Sequence, residues 1–234
     1  MLTAPQFLPA NLAAFREKIA AAARRAGRAP ESVTLVGVTK THPPEIVLAA
    51  RAAGLTDFAE NYLQEALPKV AAVPRAGTVW HFIGQLQANK TRTVAETFDW
   101  VHTIDRLKLA ERLSAQRGFH GPPLNVLVQV RLADEPGKGG VAIDELPALA
   151  RAIAVLPRLV LRGLMCVPPP SEDPGVQRGY FAKLRRLRDD LNAGGLRLDA
   201  LSMGMSADFE AAIQEGATHI RIGTALFGSR GQPR

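Results

Sequence analysis

The chain has 234 residues, of which 47% are hydrophobic and 22% are charged, close to the average for a folded globular protein. This balance argues against a largely disordered chain, and the length suits one large domain or two small ones. No apolar run reaches the roughly 18 residues that a bilayer-spanning helix needs. Residues 1–12 lack the basic start and long apolar stretch of a signal peptide.

The formal net charge of +7 admits a nucleic acid, a membrane surface or an anionic ligand as a partner. The densest basic run, residues 183–188, has leucines at helical spacing, namely Leu184, Leu187 and Leu191. We interpret it as an amphipathic helix with a solvated basic face, and predict no nucleic-acid or membrane binding. The single cysteine, Cys166, cannot form an internal disulfide, so we expect a cytoplasmic protein.

Short apolar segments alternate with amphipathic segments along the chain. An opening helix is predicted over Asn11–Gly27. Eight strands are predicted, over Val33–Lys40, Asp57–Asn61, Thr78–Gly84, Asp99–Ile104, Leu124–Leu132, Leu159–Val167, Ala200–Met205 and His219–Phe227. Helices are predicted between them, over Pro44–Ala53, Tyr62–Ala72, Lys90–Thr97, Arg106–Arg117, Ile143–Leu156, Val176–Asn192 and Ser206–Glu215.

This alternation predicts an α/β fold with a parallel sheet, because parallel strands need a helical crossover. Eight strand–helix units in about 200 residues predict one closed (β/α)8 barrel, a TIM barrel, with an extra N-terminal helix. An open doubly wound sheet is the alternative. Neither a repeat nor a linker divides the sequence, so residues 1–234 are expected to form a single domain. In such a barrel the functional groups lie at the carboxyl ends of the strands.

Lys40 ends the first predicted strand. Side chains alternate along a strand, so Lys40 faces the interior if Val36 and Val38 do. A partly desolvated lysine has a lowered pKa and attacks aldehydes to form a Schiff base. The alternative is a solvated lysine just past the end of the strand.

Arg221 lies on the face of the last predicted strand opposite to Ile220 and Ile222. If the isoleucines pack against the outer helices, Arg221 points inward. It then lies near Lys40, because strand eight pairs with strand one when a barrel closes. Two inward cations need an anionic or polar ligand between them. The alternative is an arginine paired with a core carboxylate, for which Glu60 is the candidate.

The loops after strands seven and eight carry hydroxyl and glycine residues where this fold commonly binds phosphate, namely Ser206, Gly223 and Thr224. Ser206 is also a candidate N-cap of the next helix, with Asp208 in its first turn. A lysine, an arginine and a phosphate site together describe a covalently bound phosphorylated aldehyde. Pyridoxal 5′-phosphate (PLP) fits this description, and so does a sugar phosphate on an aldolase lysine.

Several motifs occur in order along the chain: Val38-Thr39-Lys40-Thr41, Glu60-Asn61-Tyr62, Trp80-His81-Phe82-Ile83-Gly84-Gln85, His102-Thr103-Ile104-Asp105-Arg106, Lys138-Gly139-Gly140, Gly163-Leu164-Met165, Leu201–Ser206 and Arg221-Ile222-Gly223. Through them the chain, from about Val33 to Gly228, resembles the PLP homeostasis proteins, which are PLP-binding proteins of the YggS/PROSC type.

The resemblance implies a fold-type III PLP barrel like the N-terminal domain of bacterial alanine racemase. It implies a PLP Schiff base on Lys40, phosphate binding by Ser206, Gly223 and Thr224, Arg221 beside the pyridine nitrogen, and Asn61 near the ring, with His81 as a further neighbour. It also implies a monomer that acts in intracellular PLP homeostasis and delivers PLP to apo PLP-dependent enzymes.

Three positions qualify the resemblance. The family commonly has glycine where this chain has Ala59, and alanine would be strained there, displacing Asn61, if the position needs a positive φ. His42 replaces the usual lysine in a Thr-Lys-Pro stretch, a change expected to matter little. Lys138 is either a second PLP acceptor during transfer or a solvated loop residue.

The same features favour a carrier over a catalyst. Arginine only donates hydrogen bonds, so beside the pyridine nitrogen it leaves the ring a weak electron sink. A racemase also needs an acid/base group on the opposite cofactor face, which alanine racemase takes from a further domain and a partner subunit. The sequence ends at Arg234, without room for that domain. We therefore predict no enzyme, no catalytic residue and no metal site, with a racemase-like PLP enzyme and a cofactor-free Schiff-base aldolase as alternatives.

Overall fold

The computed structural model describes residues 7–133 and 139–228. Within these ranges eight parallel strands pair in chain order and close into a barrel, with the last strand against the first. They are β1 (Thr34–Val38), β2 (Asp57–Glu60), β3 (Val79–Phe82), β4 (Trp100–Ile104), β5 (Leu124–Gln129), β6 (Leu159–Met165), β7 (Ala200–Ser202) and β8 (His219–Ile222). The predicted (β/α)8 barrel is confirmed, and the open sheet is wrong.

Helices precede, connect and follow the strands. They are α1 (Phe7–Arg25), α2 (Pro44–Ala52), α3 (Leu63–Ala72), α4 (Thr91–Thr97), α5 (Leu107–Gln116), α6 (Leu146–Ala154), α7 (Pro174–Ala193), α8 (Phe209–Gln214) and α9 (Thr224–Phe227). The extra N-terminal helix is present as α1, and its Phe15 ring packs 4.8 Å from the ring of Phe209. Over the described ranges, none of these helices has the length and apolar character needed to span a bilayer.

All eight predicted strands are present, but the last prediction was wrong beyond Ile222. The chain was expected to stay extended to Phe227, and it turns instead into the short helix α9. Gly223 has φ −111° and ψ −84°, outside the extended region, and its carbonyl accepts hydrogen bonds from Leu226 and Phe227. An apolar run alone does not distinguish a strand from a helical turn, and here the glycine makes the difference.

The basic run lies on α7, as predicted. Leu184 and Leu191 are buried and Leu187 is partly buried against the core. Arg178 and Arg185 of this helix both donate to the Glu215 carboxylate, which engages part of the basic face within the protein. This confirms the amphipathic helix, while the absence of nucleic-acid binding stays a prediction.

Apolar side chains pack on both faces of the barrel strands. The outer layer, between strands and helices, contains the largest fully buried side chains, such as Trp80 and Phe58. The barrel interior is lined at one level by Val36, Val38 and Ala59. The interior also holds buried polar side chains. Burying polar groups costs free energy that an apolar interior would avoid, so these side chains indicate a function for the interior and for the barrel mouth above it.

Candidate functional site

Lys40 lies two residues beyond the end of β1, where the chain turns at the mouth of the barrel. Val36 and Val38 line the interior, as the alternation argument required. Lys40 is partly buried, and the following residue, Thr41, has a positive φ of 69°. The strand therefore ends two residues earlier than predicted, and Lys40 belongs to a tight turn on the mouth side.

Helix α3 holds this turn from both sides of Lys40. Before it, the buried ammonium of Lys69 donates to the Thr39 carbonyl at 2.7 Å and to Glu60 Oε1 at 2.7 Å. After it, the backbone N–H of Thr41 donates to a Glu65 carboxylate oxygen at 2.6 Å. Glu65 and Lys69, one turn apart on α3, thus hold the backbone on each side of Lys40.

Arg221 points into the barrel, as predicted. It is 4% exposed, while Ile220 and Ile222 pack in the outer layer. Its guanidinium donates to Ser202 Oγ at 2.7 Å and to the Cys166 carbonyl at 2.9 Å. Burial lowers the Arg221 pKa from its ordinary value.

The alternative in which Glu60 pairs with Arg221 is wrong. Glu60 has the opposite orientation from Ala59 along β2, so it faces α3 and bonds to Lys69 and Thr39. Burial raises the Glu60 pKa, although the hydrogen bonds from Lys69 and Thr39 oppose the shift. Among the described residues, no carboxylate oxygen lies within hydrogen-bond distance of Arg221.

The register places Arg221 below Lys40 in the barrel. On the paired strands, Arg221 lies opposite Val36, which precedes Lys40 by four residues (40 − 36). The predicted pairing of β8 with β1 is confirmed. A ligand that touches both side chains therefore extends from the rim down to the interior.

The predicted phosphate residues lie at the carboxyl ends of the paired strands β7 and β8. Ser206 is exposed in the turn after β7, Gly223 is partly buried at the end of β8, and Thr224 is exposed at the start of α9. Gly204 has a φ of +93°, a conformation that glycine adopts at little cost. The structure therefore brings these residues to one edge of the mouth, and phosphate binding stays a prediction.

Ser206 is not the N-cap of the next helix, so this prediction was wrong. Helix α8 begins only at Phe209, and Asp208 occupies the N-cap position. The Asp208 carboxylate accepts a hydrogen bond from the Met205 backbone N–H at 2.6 Å. That contact closes the turn, and α8 begins at Phe209, three residues after the predicted start at Ser206. Ser206 is therefore exposed in the turn.

Asn61 follows β2 directly and lies at the mouth. Its Oδ1 is buried and has no hydrogen-bond partner among the described residues. Asn61 lines two cavities, of about 470 Å³ and about 190 Å³, and shares both with Gly84 and Gln85. Ala59 has no positive φ, so the expected strain at this position is absent. An orphaned buried oxygen beside a cavity suits a polar group of a ligand.

Gly84 packs directly on Asn61. A Cβ added to Gly84 would lie 1.9 Å from the Asn61 carbonyl oxygen, so the backbone would have to move. We therefore expect Gly84→Ala to lower the free energy of unfolding in urea by about 1–3 kcal/mol. Gly118→Ala is the matched control, because nothing lies within 4 Å of its added Cβ. Equal, small losses for both variants would show that the ends of β2 and β3 separate freely.

Buried polar side chains form one hydrogen-bonded series, here called the core chain. Asp57 Oδ1 lies 3.0 Å from His81 Nε2, and His81 Nδ1 lies 3.0 Å from His102 Nε2. His102 Nδ1 lies 2.8 Å from Ser202 Oγ, which accepts from Arg221. His81, His102 and Ser202 are 0% exposed. His81, expected near a ligand ring, instead bonds inside the protein.

Sequence reasoning missed the roles of Lys69, Asp57, His102 and Ser202. The sequence analysis did not single out Lys69, although it lies on the helix face that packs against the sheet. The contact of His102 with Ser202 joins residues 100 apart in sequence, so no local pattern indicates it. Strand parity, applied to all eight strands together, would have placed them in the interior. Lys138 lies outside the described residues.

The profile of the alanine racemase N-terminal domain family matches residues 10–231. The pyridoxal phosphate homeostasis protein of Pseudomonas aeruginosa is 56% identical over 220 residues, 94% of each chain. The homeostasis protein of Escherichia coli is 49% identical over 223 residues, 94% of this chain and 95% of its own.

Solved structures agree with the sequence relatives. The structure of PipY from Synechococcus elongatus with PLP bound has a TM-score of 0.83 and 36% identity, covering 94% of this chain and 100% of its own. Alanine racemase from Corynebacterium glutamicum has a TM-score of 0.69 at 15% identity, covering 94% of this chain and 62% of its own, which shows a shared fold. The chain therefore belongs to the pyridoxal phosphate homeostasis proteins, a family that carries the alanine racemase N-terminal domain.

Proposed function

We propose that this protein binds PLP as a Schiff base on Lys40 and acts in PLP homeostasis as a carrier, without robust catalytic turnover. The observation that carries the proposal is the vertical arrangement of Lys40 at the mouth and Arg221 buried below it. The PipY structure with PLP bound and the names of the curated relatives support the same cofactor.

Lys40 supplies the covalent link. Its amine attacks the aldehyde carbon of PLP, a C=N bond forms, and the carbonyl oxygen leaves as water. The contacts of α3 with Thr39 and Thr41 hold the turn that carries this amine. A lysine on a fixed turn reaches one position above the interior, which suits a ligand anchored elsewhere by its phosphate.

The other predicted residues fit the remaining groups of PLP. Arg221 would lie beside the pyridine nitrogen, and Asn61, whose buried Oδ1 has no partner among the described residues, would be a polar neighbour of the ring. Ser206, Gly223 and Thr224, at one edge of the mouth, would bind the phosphate through hydroxyl and backbone N–H groups. A Cβ at Gly223 would lie 3.3 Å from the Val38 carbonyl, so a larger residue would crowd the end of β1.

The carrier role is favoured by the chemistry of Arg221. Bound PLP supplies an electron-withdrawing ring, and its strength as an electron sink depends on the group at the pyridine nitrogen. Because arginine only donates, it keeps that nitrogen unprotonated and the ring a weak sink. The relatives are named homeostasis proteins, which agrees with this reading. Transfer to apo PLP-dependent enzymes, a monomeric state and a cytoplasmic location stay predictions.

An absorption spectrum tests the proposal. The purified protein with PLP is expected to show the visible band of a PLP Schiff base, which borohydride abolishes by reducing the C=N bond. Lys40→Ala is expected to remove the band completely, while Lys108→Ala, at an exposed lysine of α5, should retain it. Peptide mass analysis after reduction should place the adduct on Lys40.

The alternatives give different results in the same experiment. A racemase-like enzyme would convert one amino acid into its enantiomer, which chiral chromatography detects. A cofactor-free aldolase would show no band and would be trapped on Lys40 only with a sugar phosphate. A PLP band that survives in Lys40→Ala, or sustained amino-acid turnover, would contradict the carrier assignment.

A further inference from the structure

We propose that Ser202, His102, His81 and Asp57 are positioning residues for Arg221, and that the core chain holds this arginine in one orientation beneath the mouth. The inference rests on the proposed function, because it concerns the group expected beside the pyridine nitrogen. The core chain itself is a property of the protein and is measurable without PLP.

One arrangement of hydrogen atoms satisfies every contact in the core chain. The Asp57 carboxylate only accepts, so His81 donates to it from Nε2. A neutral His81 then accepts at Nδ1 from His102 Nε2–H, and His102 accepts at Nδ1 from the Ser202 hydroxyl. Ser202 Oγ in turn accepts from the Arg221 guanidinium, which only donates. Both imidazoles are thereby assigned as neutral Nε2–H tautomers.

The opposite arrangement leaves a buried hydrogen without a partner. If His102 donated from Nδ1, Ser202 Oγ would accept both from His102 and from Arg221. The hydroxyl hydrogen of Ser202, a fully buried residue, would then have no acceptor among the residues that the structure describes. Burial also holds the pKa of His102 well below its ordinary value, so this ring stays neutral. Buried donors without partners are strongly disfavoured.

The two ends of the core chain carry opposite charges. Burial lowers the Arg221 pKa, and a cation in this position needs compensation. Burial also raises the pKa of Asp57, but the hydrogen bonds from His81 and Thr56 oppose this shift, and the pKa is lowered overall. Asp57 lines a cavity of about 450 Å³ at the amino end of the barrel, and its side chain is 17% exposed.

Asp57 is therefore a partly solvated negative group at the end of the core chain opposite to Arg221. The register places both residues opposite Val36, on the two strands that flank β1. The His81 and His102 imidazoles and the Ser202 hydroxyl lie between Asp57 and Arg221, and their N–H and O–H dipoles all point the same way along the core chain. Hydrogen bonds aligned in this way strengthen one another. The Asp208 carboxylate also favours the charged form of Arg221, although no carboxylate within the described ranges bonds to the guanidinium directly. The core chain also gives a reason for the presence of two histidines and a serine in the barrel interior, where apolar side chains would otherwise pack.

Histidine-selective ¹⁵N labelling of the full chain without PLP tests the tautomers directly. We expect His81 and His102 to be protonated at Nε2 and unprotonated at Nδ1 near neutral pH, with peaks assigned by single His→Gln variants. In Asp57→Ala we expect His102 to populate both tautomers, although it does not touch residue 57. Asp57→Asn retains an acceptor oxygen and should restore the single tautomer.

A PLP titration followed by absorption tests the positioning role. Ser202→Ala removes the acceptor of Arg221, and we expect at least tenfold weaker PLP binding and a displaced maximum of the bound band. Ser114→Ala is the matched control, because Ser114 is also buried and its hydroxyl bonds to the Pro157 carbonyl, outside the core chain. It should bind PLP within twofold of the unmodified chain.

The outcomes separate the two proposals. His102 protonated at Nδ1, or a Ser202→Ala variant that binds PLP within twofold and with an unmoved band, overturns the positioning role and leaves the Schiff base untouched. Nε2–H tautomers in a protein that forms no PLP band refute the proposed function and uphold the core chain. If Ser202→Ala does not fold, the spectra of the unmodified chain and of Asp57→Asn decide.

Discussion

Lys69→Met is expected to lower the free energy of unfolding by about 3–5 kcal/mol, because it leaves the Glu60 carboxylate buried without its cation. Lys69 is 3% exposed and Glu60 is 0% exposed, and their charged atoms lie 2.7 Å apart. The Lys69 ammonium also donates to the Thr39 carbonyl, so the turn that carries Lys40 loses a contact at the same time. Urea unfolding at neutral pH measures the loss.

Two further variants show how much of the lost stability comes from the unpaired Glu60 charge. Glu60→Gln combined with Lys69→Met removes both charges, and we expect it to recover most of the stability, since the large cost comes from the unpaired charge. Glu210→Gln breaks the exposed pair of Arg25 and Glu210, whose side chains are 54% and 52% exposed, and should cost less than about 1 kcal/mol. A Lys69→Met loss as small as that of Glu210→Gln would show that the buried pair contributes little.

The barrel was predictable because its signal is local. Each strand is a short run of apolar and β-branched residues, and each crossover has helical spacing, so the alternation alone implies parallel pairing. The boundaries were less predictable. β1 ends at Val38 rather than Lys40, because Thr41 adopts a positive φ and α3 ties down the turn. That turn depends on contacts with a helix more than twenty residues away, which no local pattern contains.

The candidate site was predictable where strand parity sufficed and unpredictable where register was needed. Parity alone placed Arg221 inside, since its neighbours Ile220 and Ile222 are apolar. The same parity places Glu60 outside, beside α3, and the suggested pairing with Arg221 ignored it. The core chain runs from Asp57 to Arg221 and joins five strands, and its contacts exist only at the relative heights that barrel closure imposes.

Lowering the pH from 7.5 to 5 is expected to reduce the free energy of unfolding by about 2 kcal/mol through buried His219, with a further loss through buried His102. Burial lowers the pKa of His219 from 6.5 to about 3 and holds that of His102 well below 6.5. Between pH 6.5 and the lowered pKa of each histidine, that imidazole is protonated in the unfolded chain but neutral in the folded chain. The stabilisation is therefore complete above about pH 6.5 and is lost as the pH falls.

His219 contributes about 1.4 kcal/mol per pH unit below its unfolded pKa, hence about 2 kcal/mol by pH 5, and His102 adds to the loss in the same direction. Asp57, with its pKa lowered from 3.8, loses its stabilisation only at more acidic pH. Burial raises the pKa of Glu60 and of Asp208, so these carboxyls act in the opposite direction to the histidines. His219→Met should therefore remove about 2 kcal/mol of the pH-dependent loss measured by urea unfolding between pH 7.5 and 5, since methionine fills such a site without titrating. His120→Gln, at an exposed position, should leave it unchanged. If His219→Met leaves the pH dependence of the free energy of unfolding unchanged, His219 takes up a proton in the folded barrel. The interior would then be far more hydrated than its closed packing implies.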